Sequence, residues 1–148
     1  SKKSKEIADR FSKLVNIPIE NAENFQIIHY SKTQEYKMHY DGWEHNKSGK
    51  TLRNIKYGGQ RIYTCLCYLN DVEEGGGTSF GKLKIDIDPK KRRILVFKNV
   101  LNNTNIRHPL SLHAGMPVIK GEKYAFNLWF RETSRKKLYK EINPDYYK

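Results

Sequence analysis

The stretch Tyr36-Lys37-Met38-His39-Tyr40-Asp41 is the part of the sequence from which both fold and chemistry are best read. It has the texture of a strand, in which residues i and i+2 project from the same face. His39 and Asp41 would therefore present an imidazole nitrogen and a carboxylate oxygen side by side. Together with a second histidine they would form the set that holds Fe(II) and leaves three coordination positions open. Alone, a His-x-Asp triplet is a weak signal, so the rest of the chain decides.

The second histidine is expected on a strand that packs beside the first. The other histidines are His29, His45, His108 and His113. His45 falls in a polar loop and His108 precedes a proline. His113 stands in a short extended run that Ala114 and Gly115 close with small side chains, which leave room next to a metal ion. We favour His113, with the others as alternatives.

The remaining pattern predicts a mainly β (α+β) fold. Apolar residues at helical spacing indicate an amphipathic helix over residues 3–15. Short strands are predicted at 25–30, 36–41, 60–70, 83–88, 94–97 and 123–131, and residues 60–70 are apolar on both faces, as in a central strand. One N-terminal helix packed on many short strands predicts a sandwich or jelly-roll barrel. With 148 residues, the chain is expected to form a single domain over 1–148.

Residues 42–59 contain four glycines and few aliphatic side chains. We interpret them as a long polar loop, which is uncommon inside a compact domain and usually functional. Because the loop follows the His39/Asp41 strand directly, we predict a mobile lid over the site, with a surface excursion as the alternative. The basic run at residues 89–93 begins with proline and lies between two strands, so we interpret it as a turn.

Composition limits the partners. The formal net charge is +12, but many of the basic residues lie near the two ends, namely Lys2, Lys3, Lys5, Arg131, Arg135, Lys136, Lys137 and Lys140. Solvated basic tails therefore explain the charge better than specific nucleic-acid binding. No apolar run has the length of a membrane span and no signal-peptide pattern is present, so a membrane partner is not expected. The compartment and the oligomeric state stay open, with a cytoplasmic location if the chain is near complete.

The two cysteines, Cys65 and Cys67, are two residues apart in a predicted strand. They would share a face, where a disulfide would strain the intervening backbone. We expect two free, partly buried thiols, and no zinc-type spacing is present.

Five motifs occur in one order along the chain: His39-Tyr40-Asp41, Gly59-Gln60-Arg61, residues 68–80, residues 111–118 and Gly121-Glu122-Lys123. With this order and spacing, residues 8–131 resemble the catalytic domain of the prolyl 4-hydroxylases, which are Fe(II)- and 2-oxoglutarate-dependent dioxygenases. The resemblance implies a double-stranded β-helix (jelly-roll) core. It also implies that His39, Asp41 and His113 hold Fe(II).

The resemblance further implies that Lys123 pairs with the distal carboxylate of 2-oxoglutarate. This agrees with physical expectation, because a buried ammonium needs an anion. Tyr30 and Thr78 match positions that line the co-substrate pocket, and Trp129 fits an apolar wall of it. For Thr78 and Trp129, packing in the core is the alternative. The implied reaction is 4-hydroxylation of peptidyl proline with O2 and 2-oxoglutarate, releasing succinate and CO2, with ascorbate as a further cofactor and a proline-rich peptide as substrate.

The sequence also departs from the family. Relatives usually have more chain before the position of Ser1, including supporting strands and a helix, which we interpret as missing here. Tyr124 stands where many relatives have tryptophan, Asn127 where many have lysine, and Arg92 where glycine is usual. Because of these departures, the resemblance does not determine the residues of the peptide groove. Candidates for an aromatic-lined groove are Tyr36, Tyr40, Trp43 and Tyr57.

Three other functions compete. An oxygenase acting on nucleic acid would keep the cofactors, but such enzymes usually hold the co-substrate through arginine. A non-catalytic jelly-roll binding module would be expected to have lost a ligand, and the set here is full. A zinc hydrolase would need a general base near the metal, and no suitable glutamate stands out.

Overall fold

The computed structural model describes residues 1–44 and 48–138. Two α-helices and ten strands form the regular structure of this part of the chain. They are α1 (Lys2–Val15), β1 (Gln26–Tyr30), β2 (Tyr36–His39), α2 (Gly49–Ile55), β3 (Arg61–Tyr68), β4 (Glu74–Gly75), β5 (Thr78–Phe80), β6 (Ile85–Ile87), β7 (Ile94–Lys98), β8 (His113–Gly115), β9 (Val118–Lys120) and β10 (Lys123–Arg131).

The strands form two four-stranded antiparallel sheets. The first has the order β1-β10-β3-β7 and the second β2-β8-β5-β6, with β4 and β9 as a separate pair. β3 lies between two partners in the first sheet, as its apolar sequence predicted. The mainly β prediction is confirmed. A cavity lies between the two sheets and is lined by side chains of both.

Helix α1 covers the outer face of the first sheet. Its Ala8, Phe11 and Val15 are buried and belong to one core cluster with Cys65, Phe126, Leu128 and Phe130 of the sheet. Phe11 meets the Phe126 ring edge-on, with 6.1 Å between centroids. The helix starts with a capping box at Ser1 and ends at Asn16, whose φ of 54° is left-handed. The predicted N-terminal helix and its packing are confirmed.

The prediction of a structureless loop over 42–59 is wrong for its second half. Residues 49–55 form α2, whose Ile55 is fully buried against Trp43 and Leu52. Two apolar residues at helical spacing were too weak a signal beside four glycines. Residues 45–47, with the candidate ligand His45, lie outside the described residues. The mobile lid stays a prediction.

Arg131 is not part of a solvated basic tail, which corrects the interpretation of the charge near the C-terminal end. It is the last residue of β10 and is buried, with its guanidinium bound to Glu23 and to backbone carbonyls. Lys140 lies outside the described residues. Among the helices described here, none has the length and apolar character that crossing a bilayer requires.

Cys65 and Cys67 are both free, as predicted. Cys65 is fully buried in the cluster under α1, where burial raises the pKa of its thiol to about 12. Such a thiol stays protonated and acts as a small apolar core residue.

Candidate active site

Adjacent strands bring the three predicted metal ligands together. β2 and β8 pair so that His39 lies opposite His113, with 4.3 Å between the ring centroids. Asp41 lies two residues beyond the end of β2, in a bend rather than in the strand that the sequence predicted. Its Oδ1 is 3.3 Å from His39 Nε2 and its Oδ2 is 3.6 Å from His113 Nε2. One ligand atom from each residue lies within 4.8 Å of the others.

The other nitrogen of each imidazole contacts a backbone carbonyl two residues earlier. His39 Nδ1 is 2.8 Å from Lys37 O, and His113 Nδ1 is 2.8 Å from Ser111 O. Because a carbonyl only accepts, we assign the proton to Nδ1 in both rings, which leaves a lone pair on Nε2. Imidazole and carboxylate lone pairs that face each other need a proton or a cation between them. The donor set therefore fits a divalent metal ion.

Asp41 is buried yet remains ionised. Burial by itself would raise the pKa of its carboxyl, but the His39 and His113 imidazoles and hydrogen bonds from Thr64 and Trp129 hold that pKa well below its usual range. Thr64 Oγ1 donates to Oδ2 at 2.7 Å, and Trp129 Nε1 donates to the same oxygen at 3.0 Å. Oδ2 thus accepts both hydrogen bonds from the protein and also lies near His113, whereas Oδ1 is directed at His39.

His113 is buried beside two aromatic rings. Phe97 and Phe80 have their centroids 4.8 and 5.6 Å from its imidazole. Burial lowers the pKa of His113, with the Asp41 charge acting in the opposite direction. At neutral pH this favours the uncharged imidazole, which is the form that ligates a metal.

The cavity beside these ligands has a volume of about 240 Å³. Lys123, the first residue of β10, lines this cavity, and only 3% of its surface is exposed. Its ammonium contacts the rings of Tyr30 and Tyr68 at 5.6 and 5.4 Å, and has no ion pair or hydrogen bond within the described ranges 1–44 and 48–138. Burial lowers the pKa of Lys123 to about 8. A buried cation without a counter-ion marks a place for an anionic ligand.

The other predicted pocket residues lie in the same cavity. Tyr30 is opposite Lys123 in the pairing of β1 with β10. Thr78 is buried, and its Oγ1 shares a 2.6 Å hydrogen bond with the hydroxyl of Tyr68. Trp129 lines the cavity, but its indole N–H is directed at Asp41, which makes it more than an apolar wall.

Sequence reasoning missed Thr64 and Tyr68. Both are on β3, four residues apart and therefore on one face of the strand. Thr64 was the available signal, because a threonine in an otherwise apolar central strand needs a hydrogen-bond partner.

A largely buried ionic cluster flanks the site and was also missed. The guanidinium of Arg61 binds both oxygens of Glu23, at 2.7 and 3.0 Å, and lies 3.7 Å from the centroid of Trp129. Arg131 binds the same carboxylate at 2.6 Å and stacks on Trp43 at 4.4 Å. Burial would raise the pKa of Glu23, but the two arginines keep it below its usual value.

The proposed aromatic groove is only partly assembled. Tyr36 and Tyr40 line the cavity. Trp43 packs on Ile55 and the arginines instead, and Tyr57 is about half exposed outside the cavity lining.

Comparison with known proteins points the same way. The family model of the 2OG-Fe(II) oxygenase superfamily matches residues 25–131. An Acanthamoeba polyphaga mimivirus protein that carries a prolyl 4-hydroxylase name is 44% identical over 128 residues, which cover 86% of this chain and 52% of that protein. Prolyl 4-hydroxylase 5 of Arabidopsis thaliana is 38% identical over 143 residues, covering 84% and 47%. The chain thus spans about half the length of these curated relatives.

Solved structures give the fold. A viral collagen prolyl hydroxylase from Paramecium Bursaria Chlorella virus-1, determined as a 2OG complex, superposes with a TM-score of 0.66 at 34% identity, over 88% of this chain and 69% of that one. The predicted double-stranded β-helix is thereby confirmed. A Pseudomonas putida prolyl-4-hydroxylase, 20% identical with a TM-score of 0.54, shares the fold. The chain belongs to the 2OG-Fe(II) oxygenase superfamily and, within it, to the prolyl 4-hydroxylase family.

Proposed function

We propose that this chain binds Fe(II) through His39, Asp41 and His113, binds 2-oxoglutarate through Lys123, and hydroxylates peptidyl proline at C4 with release of succinate and CO2. One observation carries the proposal. The two-histidine, one-carboxylate set lines the same cavity as a buried ammonium that has no acidic partner among the described residues. Metal and dicarboxylate binding are the two requirements of this chemistry.

Lys123 suits the distal carboxylate of the co-substrate. A dicarboxylate that reaches it would neutralise a charge that burial otherwise penalises. Tyr30 and Thr78 line the same cavity, and their hydroxyls can donate hydrogen bonds to that carboxylate. Trp129 contributes a wall of the cavity and a hydrogen bond to Asp41.

The protein's part in the reaction is binding and orientation. When bound, Fe(II) and 2-oxoglutarate supply O2 activation and oxidative decarboxylation. The Nδ1–H···O=C bonds keep both imidazoles turned with Nε2 inward. Phe80 and Phe97 surround His113 with apolar surface, which limits water at the reacting centre.

The proposed substrate is an extended, proline-rich peptide. Tyr36 and Tyr40 provide aromatic surface at the cavity, which suits the preformed polyproline II conformation. A hydrolase is disfavoured, because Asp41 is the only carboxylate among the described cavity residues and it is a metal ligand in this proposal.

The test is succinate release from 2-oxoglutarate in air with Fe(II) and ascorbate, with and without a proline-repeat peptide. Peptide-stimulated turnover with 4-hydroxyproline in the product is the expected result. Turnover that ignores the peptide but responds to an oligonucleotide would favour the nucleic-acid oxygenase. Absence of turnover and of 2-oxoglutarate binding would overturn the proposal in favour of a binding module.

A further inference from the structure

We propose that Thr64 and Trp129 are positioning residues that fix the carboxylate of Asp41 beside His39 and His113, where it would serve as a metal ligand. The inference rests on the metal site proposed above. Asp41 lies outside β2, so strand pairing does not set the direction of its side chain. Some other contact has to do so.

The two donors meet the carboxylate from neighbouring strands. Thr64 on β3 and Trp129 on β10 are opposite each other in the antiparallel register. Both donate to Oδ2, at 2.7 and 3.0 Å. The same Oδ2 lies 3.6 Å from His113 Nε2, while Oδ1 lies 3.3 Å from His39 Nε2. The register of the first sheet thereby fixes the orientation of a carboxylate that follows β2 of the second sheet.

Thr64 is itself held in the donating orientation. Asn99 Nδ2 donates to Thr64 Oγ1 at 2.8 Å, so the threonine proton is directed at Asp41. Asn99 Oδ1 is buried without a hydrogen-bond partner among the described residues, and Asn99 is itself fully buried. A buried amide oxygen without a hydrogen-bond partner destabilises the folded protein, so the hydrogen bond from Asn99 Nδ2 to Thr64 indicates a functional reason for an asparagine at this position.

Asn99 also limits where Asp41 can lie. A Cβ on Gly42, the next residue, would be 3.2 Å from Asn99 O and 3.4 Å from Asn99 Cβ. The backbone after Asp41 therefore rests directly on Asn99, and the bend that carries the ligand is supported from the first sheet.

Trp129 is held in a comparable way. The guanidinium of Arg61 covers its ring at 3.7 Å, and Glu23 binds that guanidinium in a bidentate pair. A cation on the ring face stabilises this placement and withdraws electron density from the indole, which strengthens the N–H as a donor. Both donors to Asp41 are thus buried, oriented and part of longer networks.

The experiment is anaerobic titration of the purified chain with Mn(II) by calorimetry, which reads metal affinity without turnover. Thr64→Val keeps the shape and removes the hydroxyl, whereas Thr64→Ser keeps the hydroxyl. We expect Thr64→Val and Trp129→Phe each to weaken Mn(II) binding by about 10- to 100-fold, and Thr64→Ser to stay within about twofold of the wild type.

Trp43→Phe is the matched control. Trp43 also stacks on an arginine of the ionic cluster, at 4.4 Å from Arg131, whereas Asp41 accepts its hydrogen bonds from Thr64 and Trp129. Its Mn(II) affinity should equal that of the wild type. Circular dichroism shows which variants fold; if Trp129→Phe does not, the Val/Ser pair at Thr64 decides.

The outcomes separate the two proposals. A wild type that does not bind Mn(II) would overturn the metal site itself. A wild type that binds, with Thr64→Val bound equally well, would overturn the positioning role and leave the proposed function standing.

A different observation concerns the rim of the cavity, and it also rests on the proposed function. We infer that the rim accepts a peptide with an acidic side chain next to the target proline. Tyr40 lines the cavity and is flanked by two cations. The Arg107 guanidinium lies 4.0 Å from its ring centroid, and Lys82 Nζ donates to its hydroxyl at 3.2 Å.

Neither cation is in an ion pair with an acidic residue of the described part of the chain. Asp41 is the only acidic residue among the described cavity residues and it is buried. A carboxylate that arrives beside Tyr40 would therefore meet two positive charges without a competing anion.

The test compares proline-repeat peptides that carry Glu, Gln or Lys next to the central proline. We expect kcat/KM to fall from Glu to Gln to Lys, by at least about fivefold overall at low salt. The double variant Lys82→Glu/Arg107→Glu should reverse the order, while Lys90→Glu/Lys91→Glu, on the turn before β7, changes the net charge equally and should not. Equal rates for the three peptides, or the same reversal in the control, would overturn the inference.

Discussion

The two ends of the cavity are built on opposite principles. At the metal end, each imidazole and the Asp41 carboxylate have hydrogen-bond partners in the protein itself. At the other end, Lys123 is even less accessible than Asp41, with 3% against 6% of its surface exposed, yet among the described residues its ammonium contacts only the rings of Tyr30 and Tyr68. The first end is organised before anything binds, whereas the second is complete only with an anion present.

The difference implies that the affinity for the metal ion and the affinity for the co-substrate depend on separate residues. Changes at the metal end should alter the affinity for a divalent cation. Changes at the lysine end should alter the affinity for a dicarboxylate, and should leave the apo protein equally or more stable.

The largest effect is expected from His113→Ala. Loss of one of three ligands should weaken Mn(II) binding by more than about 100-fold and reduce succinate release to background. Calorimetry and the succinate assay measure the two effects. His29→Ala is the control, because His29 is exposed and stacks on Tyr124 at 4.4 Å. Retention of Mn(II) affinity in His113→Ala would remove this residue from the metal site.

Lys123→Met should separate the two ends. We expect 2-oxoglutarate affinity to fall about 100-fold, or about 2.7 kcal/mol, with Mn(II) affinity unchanged. The apo protein should become more stable by about 1–2 kcal/mol, because a buried ammonium with no ion pair in the described part of the chain is replaced by an apolar side chain of similar length.

Chemical denaturation without and with 2-oxoglutarate measures both parts of this prediction. Lys120→Met is the control, since Lys120 is exposed and pairs with Glu73 at the surface. If Lys123→Met destabilises the apo protein, the ammonium has a stabilising partner in the apo state, and the lysine end does not depend on a bound anion.

The pH dependence follows from the lowered pKa of Lys123, about 8 against an ordinary 10.5. Between these values the unfolded chain binds a proton that the folded chain has lost, so this group makes the apo protein more stable as pH rises from about 8 to 10.5. The neighbouring Tyr30 and Tyr68 have pKa values raised by burial and stay neutral over most of that window.

For 2-oxoglutarate the sign is opposite. The ammonium has to be protonated to bind a carboxylate, so affinity should fall by up to about tenfold per pH unit above pH 8. Lys123→Arg, which stays charged, should lose this dependence. Calorimetric titration from pH 7 to 9.5 tests it, and an equally steep loss in Lys123→Arg would assign the titration to another group.

Local sequence patterns predicted the features that depend on a single segment of the chain. The apolar spacing of α1, the two-sided apolar run of β3 and the His-x-Asp triplet each depend on side chains a few residues apart. The fold and the juxtaposition of His39, Asp41 and His113 were therefore accessible, with the motif order supplying the long-range pairing.

Roles that depend on partners distant in sequence were not accessible. Trp129 donates to Asp41 across 88 residues, and Arg131 binds Glu23 across 108. The residues that neighbour Trp129 in sequence do not show whether its indole donates a hydrogen bond or only packs in the core. Those that neighbour Arg131 do not show whether it is buried or part of a solvated tail. Arg92, which departs from the usual glycine, has a left-handed φ of 69°, so the turn there favours the family's residue for a backbone reason.

The smallest predicted effect concerns Thr78, which is fully buried and shares its hydrogen bond with Tyr68, a residue whose ring contacts Lys123. Thr78→Val keeps the volume but removes the hydroxyl, so we expect a loss of about 1 kcal/mol in stability and a roughly threefold loss of 2-oxoglutarate affinity. Thr78→Ser should restore both, and Mn(II) affinity should not change in either variant. If Thr78→Val instead weakened Mn(II) binding, the lysine end would be coupled to the metal end through β5 and β8, and the two ends would have to be treated as one site.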